Sequence, residues 1–418
     1  MTSTSDRAVV FIRLTGMDYV PAGLLRHEDR TYFFRYGRRY LQRPDAIPLD
    51  PARMPLSDME FSASTLFSAL RDAAPDRWGR KVLGLMAGRA PGTLSEFEIL
   101  TAAHHPQRMG ALAFGPTPDG PASLASWATG DAFCMVPQDL ERVAAIVARV
   151  DEVEDDEELN AVRSGMPEDA FLAALASSLS LGGARPKAMV ILDKTSWIAK
   201  FSKRGDPWRE PVVEHATMTL AARCGIKVAS TRLLELDGHF VLLVGRFDRI
   251  SDGSRHVISG FTVTGAEEDG DWGSYQNLAE QARRLGDTDC GPEIFRRMAF
   301  NALCSNRDDH LRNHAFFVSR KTITMTPAYD LVPSSIRFPR WDLSLRCGLE
   351  GRAATRSNIL SDVRPFGLGE REARRIWEEM RETVAGWQEH FARHGVTRRE
   401  MVELKHRFTL AESASTAS

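Results

Sequence analysis

The stretch SNRDDHLRNHAFF, residues 305–317, places two aspartates, two histidines and an asparagine within seven positions. An apolar helical pattern precedes the stretch and an apolar strand pattern follows it. A solvated turn would explain the polarity alone, whereas a metal site or a phosphoryl-transfer site would explain these residue types. Zinc is one alternative, because His310 and His314 are four positions apart and would share a helix face, with Asp309 and Asn313 as support. The H-E-x-x-H motif is absent, however, and the aromatic pair after His314 indicates a strand, so we predict a structural role for His314.

The spacing of the carboxylates favours phosphoryl transfer. Asp308 and Asn313 are five positions apart, as are the catalytic aspartate and the metal-binding asparagine in the catalytic loop of protein kinases. Asp330 follows seventeen positions later, after the strand-like segments AFFVSR and TITMT, where kinases carry a second metal-binding aspartate. Carboxylate and amide oxygens suit Mg²⁺, which is a hard cation. The pattern predicts that Asp308 acts on the accepting hydroxyl and that Asn313 and Asp330 bind Mg²⁺.

Upstream residues could hold the phosphates of ATP. Gly182 and Gly183 lie in SLGGARPK, where the glycine backbone can approach phosphate oxygens closely, although such a pair is also a common turn. Lys200 lies in the strand-like WIAKF, and the helix that follows carries Glu214, which matches the lysine–glutamate pair of kinases. A solvent-facing lysine and a surface glutamate are the simpler interpretations of each residue alone. The Walker A motif is absent.

Composition narrows the class of protein. The chain has 418 residues, enough for two or three packed units, and its net charge of −2 gives no overall basic field that would attract nucleic acid or membrane. The cysteines are five, an odd number, and form no C-x-x-C pair, which predicts buried free thiols in a reducing compartment. The first residues, MTSTSDRAVVFIRL, show no secretory leader, and no apolar stretch reaches the ~18–20 residues of a membrane helix. We therefore expect a cytoplasmic protein without a membrane partner.

Periodicity predicts the elements that position these residues. Residues 1–150 should form an N-terminal subdomain of strands, such as AVVFIRL and RTYFFRYG, and helices, with Pro75 interrupting the helical pattern. Residues 151–245 should begin with an acidic run that forms a solvated linker or helix face, or less simply a cation site or a docking patch for a basic partner, and continue strand, strand, helix, strand, strand. The first hairpin there carries Lys187 and Lys200. Residues 246–410 should be mostly helical, and residues 411–418 disordered.

Six segments resemble, in their order and spacing, HipA-like serine/threonine kinases, the toxins of bacterial toxin–antitoxin pairs. These segments are SLGGARPKAMV, WIAKF, EHATMTLAARCGIKV, VGRFDRI, NRDDHLRNHAFF and PAYDLVP. The resemblance covers roughly residues 8–400 and includes LQRPDAIPLDP and LRDAAPDRWGR in the N-terminal part. It implies an α+β, two-lobed, protein-kinase-like fold, with a mixed α/β N-terminal lobe and a mostly helical C-terminal lobe.

The resemblance also implies roles for single residues. Asp308 is similar to the family's catalytic aspartate, and His310 matches the histidine of its D-x-H-x-x-N motif. Asn313 and Asp330 match its Mg²⁺ ligands. Lys200 matches its lysine on the ATP phosphates.

Further ATP contacts follow from the same resemblance. Gly182, Gly183 and Lys187 would belong to the phosphate-binding part. The segment joining the lobes would border the adenine through Val244, Gly245, Arg246 and Phe247. Gly245 departs from the glutamate expected there, which affects side-chain tuning more than ATP binding, because adenine contacts in this segment are largely backbone. Ser180 matches the family's autophosphorylated serine, whose modification is linked to loss of ATP binding.

The resemblance finally implies partners. Family members phosphorylate proteins, aminoacyl-tRNA synthetases among them, and are restrained by a small helix-turn-helix antitoxin, HipB-like, through which most DNA contact is expected. Two alternatives share the fold: a catalytically silent antitoxin-binding scaffold, and a small-molecule phosphotransferase. Asp308, Asn313, Asp330 and Lys200 are all retained, which argues against the silent scaffold.

Overall fold

The computed structural model of the protein describes most of the chain. The residues described are 6–75, 77–89, 92–103, 105, 108–125, 140–141, 144, 185, 187–203, 205–236, 238–251, 253–266, 273–336 and 341–413.

The regular elements of the described residues are as follows, in chain order. The strands are β1 (Asp6–Arg13), β2 (Tyr19–Glu28), β3 (Thr31–Tyr36), β4 (Glu60–Ala63), β5 (Leu112–Gly115), β6 (Lys187–Leu192), β7 (Thr195–Lys200), β8 (Thr231–Leu236), β9 (His239–Gly245), β10 (Arg249–Ile250), β11 (Gly253–Ser254), β12 (Val257–Ser259), β13 (Ala315–Val318) and β14 (Ile323–Met325). The helices are α1 (Arg38–Leu41), α2 (Ser68–Arg71), α3 (Arg77–Ala87), α4 (Glu96–Ala102), α5 (Glu210–Arg223), α6 (Gly260–Thr264), α7 (Tyr275–Arg284), α8 (Cys290–Leu303), α9 (Arg356–Ile359), α10 (Glu370–Ala385), α11 (Trp387–Arg393), α12 (Arg398–Leu404) and α13 (Thr409–Glu412).

The chain divides into two compact units. The first unit comprises Met1–Arg204, Gly245–Ile258 and Phe317–Lys321, and it contains most of the strands. The second unit comprises Gly205–Val244, Ser259–Phe316 and Thr322–Ser418, and it is mostly helical. The domain limits predicted at residues 150, 245 and 410 stay predictions.

A five-stranded antiparallel sheet in the order β4-β3-β2-β1-β5 organises the start of the first unit. Alternation sets its buried face, since Tyr32, Phe34 and Tyr36 of β3 point into the core while the residues between them are more exposed. The central strand β2 contains Gly23, where a Cβ atom would lie 2.4 Å from the carbonyl oxygen of Arg35. Only glycine permits the neighbouring strand to approach so closely.

The β6–β7 hairpin of the first unit confirms the predicted strand pair. Its turn residues Asp193 and Lys194 both have positive φ, 52° and 61°, as a two-residue hairpin of type I′ requires. In the register of this hairpin, Lys187 is paired with Lys200. The sequence-based prediction that one hairpin carries both lysines is therefore correct.

The second unit begins with α5, a helix of fourteen residues, as predicted. Pro211 lies in its first turn, and Gly225, with φ of 79°, follows its end. The predicted hairpin β8–β9 follows, with Leu236 paired with His239. The helices α7, α8 and α10 carry the remaining helical patterns, and the longest pattern is divided at Gly386, where α10 ends and α11 begins.

The buried parts of both units are consistent with the cysteine pattern. The described cysteines, Cys224, Cys290, Cys304 and Cys347, are free and buried, which confirms the prediction for these four. Cys134 and the acidic run at 151–158 lie outside the described residues. None of the described helices combines the length and apolarity needed to cross a membrane.

Candidate functional site

The polar stretch forms a loop between a buried helix and a buried strand, as its sequence predicts. α8 ends at Leu303, and Ser305 shortly after it has a φ of 55°. A single 3-10 turn, Leu311–Asn313, precedes β13. Left-handed backbone in a non-glycine residue persists only where surrounding contacts hold it, and such residues cluster at functional sites. The loop therefore begins at a constrained point.

Asp308 and Asn313 are joined within this loop. The side-chain amide of Asn313 donates from Nδ2 to the main-chain carbonyl of Asp308 at 2.9 Å. Asp308 itself is exposed, whereas Asn313 is buried. Because Nδ2 is committed to that carbonyl, Oδ1 of Asn313 is the side-chain atom left to bind a cation.

His310 and His314 do not share a helix face, so the geometric premise of the zinc alternative is wrong. His310 is half-buried, and its main-chain N–H donates to the carbonyl of Asp308 at 3.1 Å. His314 is buried and donates from Nε2 to Asp309 at 2.9 Å. His314 is thus held in the core of the second unit, as the predicted structural role requires.

A buried chain of hydrogen-bonded polar side chains lies behind the loop, and no pattern in the sequence predicts it. Asp309 accepts at the same carboxylate oxygen from His314 and from the hydroxyl of Tyr275, the latter at 2.6 Å. The amide of Asn301 donates to the Tyr275 hydroxyl at 3.3 Å and accepts from Asn306 at 3.0 Å. The chain of hydrogen bonds thus links α7 and α8 to the loop on both sides of Asp308.

Electrostatics keep Asp309 ionised in this position. Burial alone would raise the pKa of Asp309, but the charge of His314 and the hydrogen bonds from His314 and Tyr275 outweigh burial, so the pKa of this carboxyl lies below its usual value. Burial and the charge of Asp309 raise the pKa of Tyr275 well above its usual value. Tyr275 therefore keeps its proton and acts as a hydrogen-bond donor.

The segment that carries Asp330 is tied to the same loop. The hydroxyl of Tyr329 donates to the main-chain carbonyl of Arg312 at 2.8 Å. The main-chain N–H of Ser334 donates to the carbonyl of Ser305 at 3.0 Å. Asp330, half-buried between these two bonds, has a φ of 60°, so a second constrained residue lies at a predicted site position.

The residue directly before Asp308 holds a further segment in place. Arg307 donates from Nε to the main-chain carbonyl of Asp342 at 2.7 Å. The hydroxyl of Ser344 donates back to the carbonyl of Arg307. Residues 342–344 are therefore fixed against the loop by neutral and charged hydrogen bonds to one residue.

In the first unit, the predicted phosphate-binding residues that are described are Lys187 and Lys200. Lys187 begins β6 and is 3% exposed, and Lys200 ends β7 and is half-buried. Their cross-strand pairing puts both side chains on one face of the hairpin. Glu214 of the second unit, which could have been a surface residue, is buried on α5.

The predicted adenine-bordering segment has mixed roles. Val244 is buried at the end of β9. The guanidinium of Arg246 is buried and donates to both carboxylate oxygens of Asp248, at 3.0 and 2.7 Å. The main-chain N–H of Arg246 donates to the carbonyl of Ser196 at 3.0 Å. Arg246 is thus engaged within the first unit through both its side chain and its N–H group.

The other predicted ATP-binding residues are Phe247 and Gly245 of this segment and the residues of the glycine motif. Phe247 packs edge-on against Phe317, with ring centroids 5.8 Å apart. Gly245 is the last residue of β9. Ser180, Gly182 and Gly183 lie outside the described residues.

Donor chemistry decides which metal the second unit could hold. Among the residues with described positions, no group of three or more His, Cys, Asp and Glu side chains could hold a metal ion. Asn313 and Asp330 offer one amide oxygen and one carboxylate. Such a set fits Mg²⁺, which takes one or two carboxylates and otherwise keeps water and substrate oxygens as ligands.

Comparison with known proteins supplies independent information. Residues 179–387 match the HipA-like C-terminal domain, and residues 16–115 match the HipA N-terminal domain. A Sinorhizobium fredii protein named "Putative kinase Y4dM" is 31% identical over 152 residues, which are 33% of this chain and 37% of that protein. A Haemophilus influenzae protein named "Putative kinase" is 26% identical over 183 residues, 38% of this chain and 53% of that protein. The matches span about a third to a half of the length of these curated relatives.

One solved structure is similar along nearly the whole chain. It is the Shewanella oneidensis MR-1 toxin–antitoxin complex of HipA, HipB and operator DNA, with a TM-score of 0.62 at 17% identity, covering 96% of this chain and 95% of that chain. Likeness at this identity concerns the fold. The predicted α+β, two-lobed, kinase-like fold is confirmed.

Proposed function

The chain belongs to the HipA family, and from this membership we propose that it is an ATP-dependent serine/threonine protein kinase, the toxin of a toxin–antitoxin pair. The relatives named as kinases match only parts of their length, so the activity rests on the chain's own residues together with the family.

One observation carries the proposal. The segment around Asp330 is hydrogen-bonded on both sides of that residue to the loop of Asp308 and Asn313, through Tyr329 and through Ser334. Residues that are distant along the chain but share a chemical task in kinases are thereby held in one framework. A framework of this kind supports metal binding and hydroxyl orientation by a single site.

Asp308 is assigned to the accepting hydroxyl. In the reaction, the bond from the γ-phosphorus of ATP to the β–γ bridging oxygen breaks as a bond to the substrate's serine or threonine oxygen forms. The hydroxyl proton passes to the carboxylate of Asp308, and ADP leaves. The exposure of Asp308 suits this role, because the carboxylate must meet a side chain of another protein.

Asn313 and Asp330 are assigned to Mg²⁺. Held by these two residues, Mg²⁺ would supply positive charge that neutralises the ATP phosphates. Asn313 contributes Oδ1, since its Nδ2 is held by the carbonyl of Asp308. His310, next in the same motif, is assigned to supporting the loop at Asp308 through its main-chain hydrogen bond.

The remaining ATP contacts are assigned to the first unit and to β9. Lys187 and Lys200 would donate to phosphate oxygens, together with the backbone of Gly182 and Gly183. The adenine is assigned to the backbone of Val244, Gly245 and Phe247. Arg246 is assigned to supporting this segment through its ion pair with Asp248.

The proposed substrate is a protein involved in translation, with an aminoacyl-tRNA synthetase as the leading candidate. The proposed partner is a small helix-turn-helix antitoxin, through which DNA would be contacted. The Shewanella complex contains HipA, HipB and operator DNA, which supports a partner of this kind. Phosphorylation of Ser180 by the kinase itself is the proposed off-switch.

Labelled ATP in a cell lysate tests the activity. The full chain should transfer the γ-phosphoryl group to a small set of proteins, identified by mass spectrometry, and to itself. Asp308→Asn should abolish the labelling, whereas the matched change Asp58→Asn, at an exposed carboxylate in a loop of the first unit, should leave it intact. If only small molecules carry the label, the protein is a small-molecule phosphotransferase and not a protein kinase. If nothing is labelled but the protein still binds the antitoxin, it is the catalytically silent scaffold.

A further inference from the structure

We propose that Asp309 is a positioning residue that sets the direction of its neighbour Asp308, and that it does so as an anion held by Tyr275 and His314. The inference rests on the proposed kinase function, because Asp308 is the group whose direction matters. Nothing in the spacing of the loop singles out Asp309. Its environment in the second unit does.

The first step is the contrast between two consecutive carboxylates. Asp308 is exposed, whereas Asp309 is 1% exposed. Neighbouring side chains leave a non-helical backbone in different directions, so a carboxylate fixed inwards at position 309 turns the carboxylate at position 308 outwards. The buried carboxylate therefore determines which side of the loop presents the exposed one.

The second step is that the loop is anchored on both sides of Asp308. Asp309 accepts hydrogen bonds from Tyr275 at 2.6 Å and from His314 at 2.9 Å. Asn306, two positions before Asp308, donates to Asn301, which in turn donates to Tyr275. Both anchors thus end on the same tyrosine, and Asp308 lies between them.

The third step is the sense of each hydrogen bond. The Tyr275 hydroxyl accepts from Asn301 and donates its single proton to Asp309. The carboxylate of Asp309 is therefore the final acceptor of the chain that starts at Asn306. Because Tyr275 and His314 both donate to one oxygen of Asp309, an amide at position 309 could accept from them only through its single oxygen and without the negative charge, so both hydrogen bonds would be weaker than those to the carboxylate.

The fourth step concerns what a displaced Asp308 would do. A displacement of about 1 Å at a reacting group can lower the rate roughly 100-fold. Asp308 would still be present, and most of the residues assigned to ATP, Lys187, Lys200 and Asp330 among them, lie outside this loop. A positioning role therefore predicts a loss in kcat with little change in the KM for ATP, whereas general destabilisation would lower the amount of active protein.

The test uses the full chain with its best protein substrate from labelled lysate. Asp309→Asn should lower kcat by about 10- to 100-fold and change the KM for ATP by less than about 2-fold. Tyr275→Phe should give a smaller loss of kcat, and the losses in the double variant should not multiply, because both changes act on the same hydrogen bonds. Unchanged kcat in Asp309→Asn, or independent losses that multiply in the double variant, would overturn the proposal.

Rescue at position 314 separates positioning from packing. His314→Gln keeps an N–H donor that can reach Asp309, so this variant should retain most of the kcat. His314→Leu keeps the apolar contact but has no donor, so its kcat should fall. Equal kcat in the two variants would contradict an anion held by donors. These variants also serve if Asp309→Asn does not fold.

Hydrogen–deuterium exchange distinguishes this proposal from the kinase assignment. Peptides covering 305–314 should exchange faster in Asp309→Asn than in the wild-type protein, whether or not the protein is active. Absence of transfer by the wild-type protein would refute the kinase assignment alone. Unchanged exchange in this segment would refute the anchoring by Asp309.

Discussion

Lys187 and Lys200 lie directly opposite each other in the antiparallel pair β6–β7. Side chains in this relation share a face of the sheet, and like charges placed so repel each other. Lys187 is almost fully buried, where charge–charge interactions are stronger than in water. Two lysines on one face of a hairpin can also both donate to one phosphate group, which is the role predicted for them.

Lysine-to-methionine changes test this pair. Lys187→Met and Lys200→Met should each weaken the binding of Mg·ATP by about 1.5–3 kcal/mol, or roughly 10- to 150-fold, because each removes a charged hydrogen-bond donor. Titration calorimetry measures the affinity. Lys194→Met, at the exposed turn of the same hairpin, is the matched control and should bind as the wild type does. If both site variants bound Mg·ATP as tightly as the wild type does, neither lysine would bind the phosphates.

The carboxylates of the second unit should separate into two roles. Asp308→Asn should leave Mg·ATP binding nearly intact and abolish transfer, because this residue is assigned to the hydroxyl. Asp330→Ala should weaken Mg·ATP binding itself, because it removes an oxygen ligand of the cation. Calorimetry with and without Mg²⁺, and a single-turnover assay, give the two readouts. If Asp308→Asn weakened Mg·ATP binding and Asp330→Ala abolished transfer alone, the roles assigned to these two residues would be reversed.

Local patterns in the sequence predict the parts of this site that are close along the chain. The five-residue spacing of Asp308 and Asn313, the strand pair before Asp330, and the hairpin with both lysines all come from short segments, whose periodicity and turn residues act locally. The buried chain behind the loop has no such signal. Tyr275 and Asp309 are 34 positions apart and meet only through the packing of α7 and the loop.

Two other features of the structure also lack a local signal in the sequence. β2 is a central strand that strand signals do not reveal, because it contains Pro21 and Gly23. Pro21 lies opposite Phe11, next to an irregularity in the β1–β2 register, and Gly23 is required by the close approach of β3. Arg246 lies in a segment expected to border adenine, yet its guanidinium is bound to Asp248, a partner that sequence spacing alone does not assign.

A histidine in the second unit should make stability depend on pH. His390 is buried on α11, where Nε2 donates to the carbonyl of Ala216 at 3.1 Å and Nδ1 accepts from Arg223 at 3.3 Å. Burial and the neighbouring His394 lower the pKa of His390 to about 4. The unfolded chain, with a histidine pKa near 6.5, binds the proton first, so stability is lost as the pH falls from about 6.5 towards 4.

The expected size of this effect is measurable. At pH 5, the contribution of His390 is a loss of up to about 2 kcal/mol relative to pH 7.5, from about 1.4 kcal/mol per pKa unit. His390→Gln should reduce the pH dependence of the free energy of unfolding, measured by urea titration, by this amount, whereas His406→Gln, at an exposed position, should not. The interval from pH 7.5 to 5 stays above the range where Glu400, with a pKa of about 2, loses its ion pair with Arg209. Identical pH profiles for all three proteins would contradict the prediction.

Ser180 should act as an off-switch. It precedes Gly182 by two positions and Lys187 by seven, in the part of the chain assigned to the ATP phosphates. A phosphoserine adds a charge of about −1.5 to −2, and such a charge both competes for the cations that bind ATP and repels its phosphates. Prolonged incubation with Mg·ATP should therefore add one phosphate at Ser180, lower the affinity for ATP and stop further transfer.

Mass spectrometry of the ATP-treated protein, combined with nucleotide titration, measures this switch. Ser180→Ala should stay active over the same incubation, while Ser178→Ala, two positions away, should inactivate as the wild type does, because it leaves the modified serine in place. Asp308→Asn should acquire no phosphate at Ser180, because the kinase itself transfers this phosphate and the variant is inactive. A singly phosphorylated Ser180 form that binds ATP as tightly as the unmodified protein would show that charge at this position does not control nucleotide binding, and phosphate on Ser180 in Asp308→Asn would assign the modification to another kinase.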